Sequence, residues 1–314
     1  MATIVLVHGI AQEQLGAASL EKNWLPALAD GVAKSGHQTL ADRIWRAGVR
    51  GEIDTRMAYY GTPFIDEGAQ GDGEVDLDTE PLPDGAEELT KQLAVAWLQA
   101  AAHAATDPTD RRTAQDELKI IAGNAGEAQG PRGTLGRPAL NALAELRWFA
   151  PFGMAVAGRF VWRALTQVSC YLTDDSIRTY AQDQVLRWIG DDTRLVIGHS
   201  LGSVVAYEAL HRTNHNAALI TLGSPLGLQG VVYDRLRPQP PHVPPSVTRW
   251  ENFAAQDDLV AARLDLKPYF EHGPGSSVTP VSHIVDTGSK PHQIEHYLTK
   301  PTCGRVVAES LAAQ

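Results

Sequence analysis

The residues best suited to chemistry lie in Leu195–Tyr207, which reads LVIGHSLGSVVAY. Leu195, Val196 and Ile197 suit a short buried strand. Ser203 to about Arg212 suits a helix, with Val204, Val205, Ala206, Ala209 and Leu210 available for burial. Between them stands Gly198-His199-Ser200-Leu201-Gly202, a G-x-S-x-G pattern. A serine on a sharp strand-to-helix turn takes a strained backbone conformation. Its neighbours two residues away on either side must be small to clear the flanking strand and helix. The turn lifts the hydroxyl clear of the sheet and aims the N–H groups of the helix N-terminus at it. By itself the motif also reads as a plain glycine turn; the strand before it, the helix after it and the partners downstream favour a nucleophile.

Serine is a weak nucleophile at neutral pH. It needs a base within hydrogen-bond reach, and the base needs a carboxylate to fix its tautomer. After this kind of turn the chain order is Ser, then Asp or Glu, then His. Asp257 and Asp258 follow an expected strand at Val247–Phe253, and His292 follows another at Ser282–Asp286. Both places are carboxyl ends of strands, where open α/β sheets build their sites. Neighbouring side chains in an extended loop point in opposite directions, so only one of the two aspartates can face His292. Asp258 directly precedes Leu259-Val260, an apolar pair able to anchor the loop, and is the choice. Asp257 then faces solvent or caps the following turn, and Asp234 and Glu251 are the next candidates.

A rival constellation is His292-Gln293-Ile294-Glu295-His296, an H-x-x-E-H run of the kind that binds zinc from one helix face. Pro291 and Pro301 leave room for only about two turns of helix, Glu309 is the one obvious third ligand, and a zinc site leaves Ser200 unexplained. Elsewhere the plainer readings prevail. His8 is expected to hydrogen-bond loops, and His199 fills a variable motif position. Ser224-Pro225 stops a strand, and Cys170 is a small buried hydrophobe.

These groups need a scaffold. Helices alternating with short apolar strands argue for a doubly wound, mostly parallel sheet. Thr3–Val7, Arg56–Tyr60 and Ala218–Leu222 are further expected strands. Asn23–Ser35, Gly85–Thr106, Asp110–Ile121 and Ala139–Leu172 (broken near Pro151-Phe152-Gly153) are expected helices, as are Gln293–Leu298 and Arg305–Ala312. Gln129–Pro138 reads as a Gly/Pro linker, and Thr173 as the cap of a helix running to about Ile189. The core is expected at 1–84 and 173–314, with an all-helical insertion at 85–172. Within the core, Asp66–Asp84 carries eight acidic residues, no basic one and no apolar period, as a flexible surface loop would.

A chain of 314 residues suits one large α/β domain with an insertion. A net charge of −10 gives nucleic-acid binding no electrostatic support, and two distant cysteines make no disulfide framework. The longest apolar run, near Trp148–Gly158, is about half of what a bilayer span requires. Because the chain starts on a strand, no signal peptide and a cytoplasmic location are expected.

With these residues in view, the sequence resembles the α/β-hydrolase superfamily, in its lipase- and esterase-like branch. The resemblance rests on His8-Gly9 after the first strand, on Gly198–Gly202, on WENFAAQDDLVA (Trp250–Ala261) and on KPHQIEHYL (Lys290–Leu298). Members often carry Asn, a short gap and Asp-x-Val after the acid strand, and His followed shortly by Tyr-Leu after the last strand. Carried over position by position, with Asn252 on the family's Asn, this implies Ser200 as nucleophile, His292 as base and Asp258 as acid. His8-Gly9-Ile10 matches the His-Gly-x motif, so the N–H groups of Ile10 and Leu201 would hold the oxyanion. No glycine run follows His8, unlike one large esterase group. The insertion matches no family motif; its role as a cap is inferred from its location, where many members carry helices over the site. The expected activity is hydrolysis of carboxylic esters with an apolar, lipid-like acyl group, with no cofactor or metal. Thioesters, acyl transfer and peptides stay open, as do a non-catalytic binding module of the same fold, the zinc enzyme and the oligomeric state.

Overall fold

The computed structural model describes all residues except 47, 66–84, 125–135, 147–153, 262 and 314. The expected acidic loop therefore lies outside the described residues, as do most of the expected linker and the break near Pro151. In chain order the elements are β1 (Ile4–Val7), α1 (Ala17–Lys34), α2 (Gln38–Ile44), β2 (Trp45–Arg46), β3 (Val49–Arg50) and β4 (Thr55–Ala58). Then come α3 (Ala86–Ala104), α4 (Pro108–Asn124), α5 (Gly136–Glu145), α6 (Met154–Thr173) and α7 (Asp175–Leu186). The remainder is β5 (Leu195–His199), α8 (Leu201–Leu210), β6 (Ala217–Leu222), β7 (Val247–Ala255), β8 (Val281–Val285), α9 (Ile294–Leu298) and α10 (Pro301–Ala312). They divide into two compact units, Met1–Tyr60 with Thr179–Gln314, and Gly61–Arg178.

The first unit is an α/β fold built on a six-stranded sheet, ordered β4-β1-β5-β6-β7-β8, with every pairing parallel. Parallel strands covered on both faces read as unbroken apolar runs. Accordingly every residue of β1, β5 and β6 is buried. The edge strand β8 instead leaves Val281 and Ile284 exposed. Leu20, Trp24, Leu28 and Val32 of α1, with Val306 and Val307 of α10 and Tyr297 and Leu298 of α9, pack on Ile4, Leu6, Ile197 and Ile220. The helix α8, buried at all ten positions, packs against β5, β6 and β1. The chain passes from β1 out to the edge at β4, then returns past β1 to β5 and onward to β8. The strand order thus reverses between β1 and β5, and ligands of open α/β sheets bind beyond the carboxyl ends of such a pair. His8-Gly9-Ile10 leaves β1 there, and Ser200 leaves β5.

In the second unit α3, α4, α5 and α6 pack on one another. Leu89, Leu93 and Trp97 form one buried face of α3, and Val161, Leu165, Val168 and Leu172 one of α6. Thr90 Oγ1 reaches Ser169 Oγ between them at 2.9 Å. Two expectations need correction. Thr173 ends α6 rather than capping α7. Asp174 is the cap, its Oδ1 accepting the N–H groups of Ser176 at 2.8 Å and Ile177 at 3.2 Å. Gly136–Pro138, expected in the linker, begins α5; proline is tolerated in a first turn, where its missing N–H has no intrahelical partner. The helix α2 and the antiparallel pair β2–β3 were not anticipated. No helix among the described residues is long and apolar enough to cross a membrane.

Candidate active site

Ser200 joins β5 to α8 with φ 55° and ψ −131°, a positive-φ conformation that costs a non-glycine residue roughly 1–3 kcal/mol. The flanking glycines make that turn possible. A Cβ on Gly198 would stand 2.6 Å from the Ser203 Cα, and one on Gly202 would stand 2.2 Å from the His8 carbonyl oxygen. The Ser200 N–H donates to the Leu222 carbonyl at 3.0 Å, which ties the turn to the end of β6. Ser200 Oγ is buried and has no hydrogen-bond partner among the described residues.

His292 and Asp258, 34 positions apart in sequence, meet in the structure. His292 Nδ1 donates to the Asp258 carboxylate, at 2.8 Å to Oδ2 and 2.9 Å to Oδ1. A carboxylate only accepts, so Nδ1 carries a proton, and the neutral ring then has its lone pair on Nε2, the tautomer that a general base needs. The Asp258 side chain is wholly buried and carries further donors. They are the Tyr297 hydroxyl at 2.7 Å and the N–H groups of Val260 at 3.0 Å and Ala261 at 3.4 Å. Tyr297 Oη in turn accepts the Ala255 N–H at 3.1 Å. This pair lies beside the serine turn. A Cβ on Gly223, which follows the Leu222 that holds Ser200, would stand 2.6 Å from Asp258 Oδ2 and 3.1 Å from His292 Nδ1.

His199 closes the cluster. Its Nε2–H donates to the His292 carbonyl at 3.0 Å, and the two rings lie 4.5 Å apart. Burial, then the neighbouring His292, holds the His199 ring well below its usual pKa, so it stays neutral. On the β1 side, Gly9 packs on Ser200: a Cβ there would stand 2.7 Å from the Ser200 Cβ. This brings the loop carrying Ile10 to Ser200, while Leu201, in the first turn of α8, has an N–H with no intrahelical acceptor. His8 braces the same loop. Its Nδ1–H donates to the Gly9 carbonyl at 2.8 Å, its Nε2 accepts the Tyr60 N–H at 3.1 Å, and its ring stacks on Tyr60 at 4.1 Å.

The remaining candidates are placed elsewhere. Asp257 is half-buried. Glu251 pairs with Arg249 at 2.6 Å and His283 at 2.5 Å, and Asp234 accepts the Gly230 N–H. The H-x-x-E-H run does not lie on one helix face. His292 precedes α9 and its Nδ1 faces Asp258, while His296 Nδ1 donates to the Thr287 carbonyl at 2.5 Å. Among the described residues no group of three His, Cys, Asp or Glu is placed to hold a metal ion. The contacts of His199 and Tyr297 in this cluster are not among the expectations from sequence. A histidine beside Ser200 carries no local signal of such a contact, whereas Tyr297 stands in the His-to-Tyr-Leu stretch, which does offer one.

His8 makes stability pH-dependent. Burial lowers its pKa from the usual 6.5 to about 4. Between these values the unfolded chain takes a proton that the folded chain refuses, so stability falls as the pH drops from about 6.5 to about 4. The loss is roughly 1.4 kcal/mol per pH unit, and His8 contributes no slope above that window. Urea unfolding of His8→Asn is therefore expected to show a shallower pH slope than the parent from pH 6.5 to 5. Identical slopes would mean that His8 is not buried neutral.

No protein-family model, curated protein or solved structure matches this chain.

Proposed function

We propose that the chain is a serine hydrolase of α/β-hydrolase fold that cleaves carboxylic esters through Ser200, His292 and Asp258. The observation carrying this reading is the strained Ser200 turn with an Asp258-bound, Nδ1-protonated imidazole in the same cluster. In the proposed reaction Ser200 Oγ attacks the ester carbonyl carbon as His292 Nε2 takes its proton. The N–H groups of Leu201 and Ile10 hold the oxyanion of the tetrahedral intermediate. Its collapse expels the alcohol, protonated by His292, and leaves an acyl-serine. A water deprotonated by His292 then attacks the acyl carbon, and the acid departs as Ser200 regains its proton. The fold and the residue geometry support this reading without naming the leaving group.

Pre-steady-state hydrolysis of p-nitrophenyl esters of increasing chain length tests it. A burst of nitrophenol stoichiometric with enzyme, ahead of slower turnover, is expected from acyl-enzyme formation. Absence of both burst and turnover across the series would leave the non-catalytic module as the better reading. The helical segment 85–172 is proposed to select the acyl group, on the strength of its apolar composition and its place in the chain. Replacing it with a short Gly/Ser linker should leave a folded core with altered chain-length preference; an unchanged profile would remove that role.

A further inference from the structure

Ser203 lies one turn beyond Ser200, wholly buried in a helix whose other buried residues are mainly apolar. Its Oγ donates to the Ser200 carbonyl at 2.5 Å, and its N–H reaches the same carbonyl at 3.0 Å. Ser203 Oγ also lies 2.6 Å from the Oγ of Ser224, itself buried, and Ser224 Oγ accepts the Leu226 N–H at 3.2 Å. A carbonyl only accepts, and each hydroxyl carries one proton. With the Ser203 proton on the Ser200 carbonyl, Ser224 must donate to Ser203. The chain therefore runs one way: Leu226 N–H to Ser224, Ser224 O–H to Ser203, Ser203 O–H to the Ser200 carbonyl. Ser200, at the N-cap of α8, makes no capping bond with its own side chain. The third residue of the helix instead bonds the cap residue's carbonyl through both backbone and side chain.

The carbonyl that ends this chain belongs to the same peptide unit as the Leu201 N–H. In a trans peptide the two groups point in opposite directions, so a carbonyl turned into the helix leaves its N–H turned towards the nucleophile. Hydrogen bonds accepted at the carbonyl draw electron density through the conjugated C–N bond, and the N–H becomes a stronger donor. We propose that Ser203 and Ser224 are positioning residues for the oxyanion hole, aligning and polarising the peptide whose Leu201 N–H would bind the oxyanion. The inference rests on the serine-hydrolase reading and adds two residues to it. Neither hydroxyl touches substrate; both act through the 200–201 peptide.

Such residues act on the transition state and leave ground-state binding alone. In the full-length protein Ser203→Ala should lower kcat for a p-nitrophenyl ester about three- to ten-fold with little change in KM. It should weaken a phenylboronic acid, which forms a tetrahedral anionic adduct with the serine, by the same factor. The planar amide analogue of the ester, used as a competitive inhibitor, should bind as before. Ser203→Cys, whose thiol donates weakly, should fall between the two, and Ser224→Ala, one link upstream, should show the same pattern with a smaller loss. Circular dichroism and Tm establish folding, and if Ser203→Ala does not fold, Ser224→Ala and Ser203→Cys are read alone. Parental kcat and boronic-acid affinity in the folded variants would overturn the proposal. So would equal losses for boronic acid and amide, the mark of a distorted site. A parent protein inert to both ester and boronic acid would instead overturn the hydrolase reading, and this inference with it.

Discussion

His292→Ala is expected to lower turnover of an activated ester about 10⁶-fold, leaving only what binding and oxyanion stabilisation supply. The size follows from interdependence. Without the imidazole, Ser200 Oγ keeps its proton, and neither the strained turn nor Asp258 can act through it. His296 gives the contrast. It stands four residues away, but its Nδ1 serves the Thr287 carbonyl and takes no part in the Asp258 pairing. His296→Ala should therefore keep most of the activity while losing a local tether. Comparable losses from the two substitutions, measured as kcat/KM on folded proteins, would favour the H-x-x-E-H reading or a different base.

The second large effect belongs to Asp258. Asp258→Asn nearly preserves shape and replaces one of the two oxygens that accept from His292 Nδ1 with a donor. An asparagine can present its amide N–H₂ to the ring, and the proton then moves to Nε2, where it blocks uptake from Ser200. A loss of about 10⁴ in kcat is expected. Asp257→Asn, at a half-buried neighbour, should cost at most a few-fold. The reverse ranking would transfer the acid to Asp257, and two mild effects would place it elsewhere. The donors around Asp258 bear on the same substitution. Tyr297 Oη and the N–H groups of Val260 and Ala261 converge on an anion, so the asparagine must satisfy donors arranged for a carboxylate. Measuring Tm beside kcat separates that structural cost from the tautomer effect.

The legible parts of the molecule are those whose signal is local. β1, β5 and β6 are buried on both faces and so appear as unbroken apolar runs. Gly198 and Gly202 declare a turn because any Cβ there collides with backbone. Asp258 could be preferred over Asp257 because Leu259 and Val260 anchor the loop after it, and both are buried. Where two good helix caps adjoin with nothing apolar beside either to separate them, as Thr173 and Asp174 do, local pattern fails, and only the hydrogen bonds to Ser176 and Ile177 choose between them. The helix α2 and the hairpin β2–β3 are too short to carry a period. The supporting groups of the site escaped for another reason. His199 reaches a carbonyl 93 residues away, and Ser203 pairs with a serine 21 residues on; neither contact leaves a trace in its own neighbourhood. Parallel topology creates these contacts, because it gathers the carboxyl ends of β1, β5, β6 and β7 at one edge of the sheet.

The central claim, that Ser200 is an activated nucleophile, is open to one direct measurement. The intact protein is incubated with a fluorophosphonate, digested and analysed by peptide mass spectrometry, with and without a strong chelator. The account predicts a single stoichiometric adduct on Ser200, formed at the same rate with chelator present and lost in His292→Ala. An unlabelled Ser200 in protein that is folded and hydrolyses esters, or hydrolysis that the chelator abolishes, would contradict it.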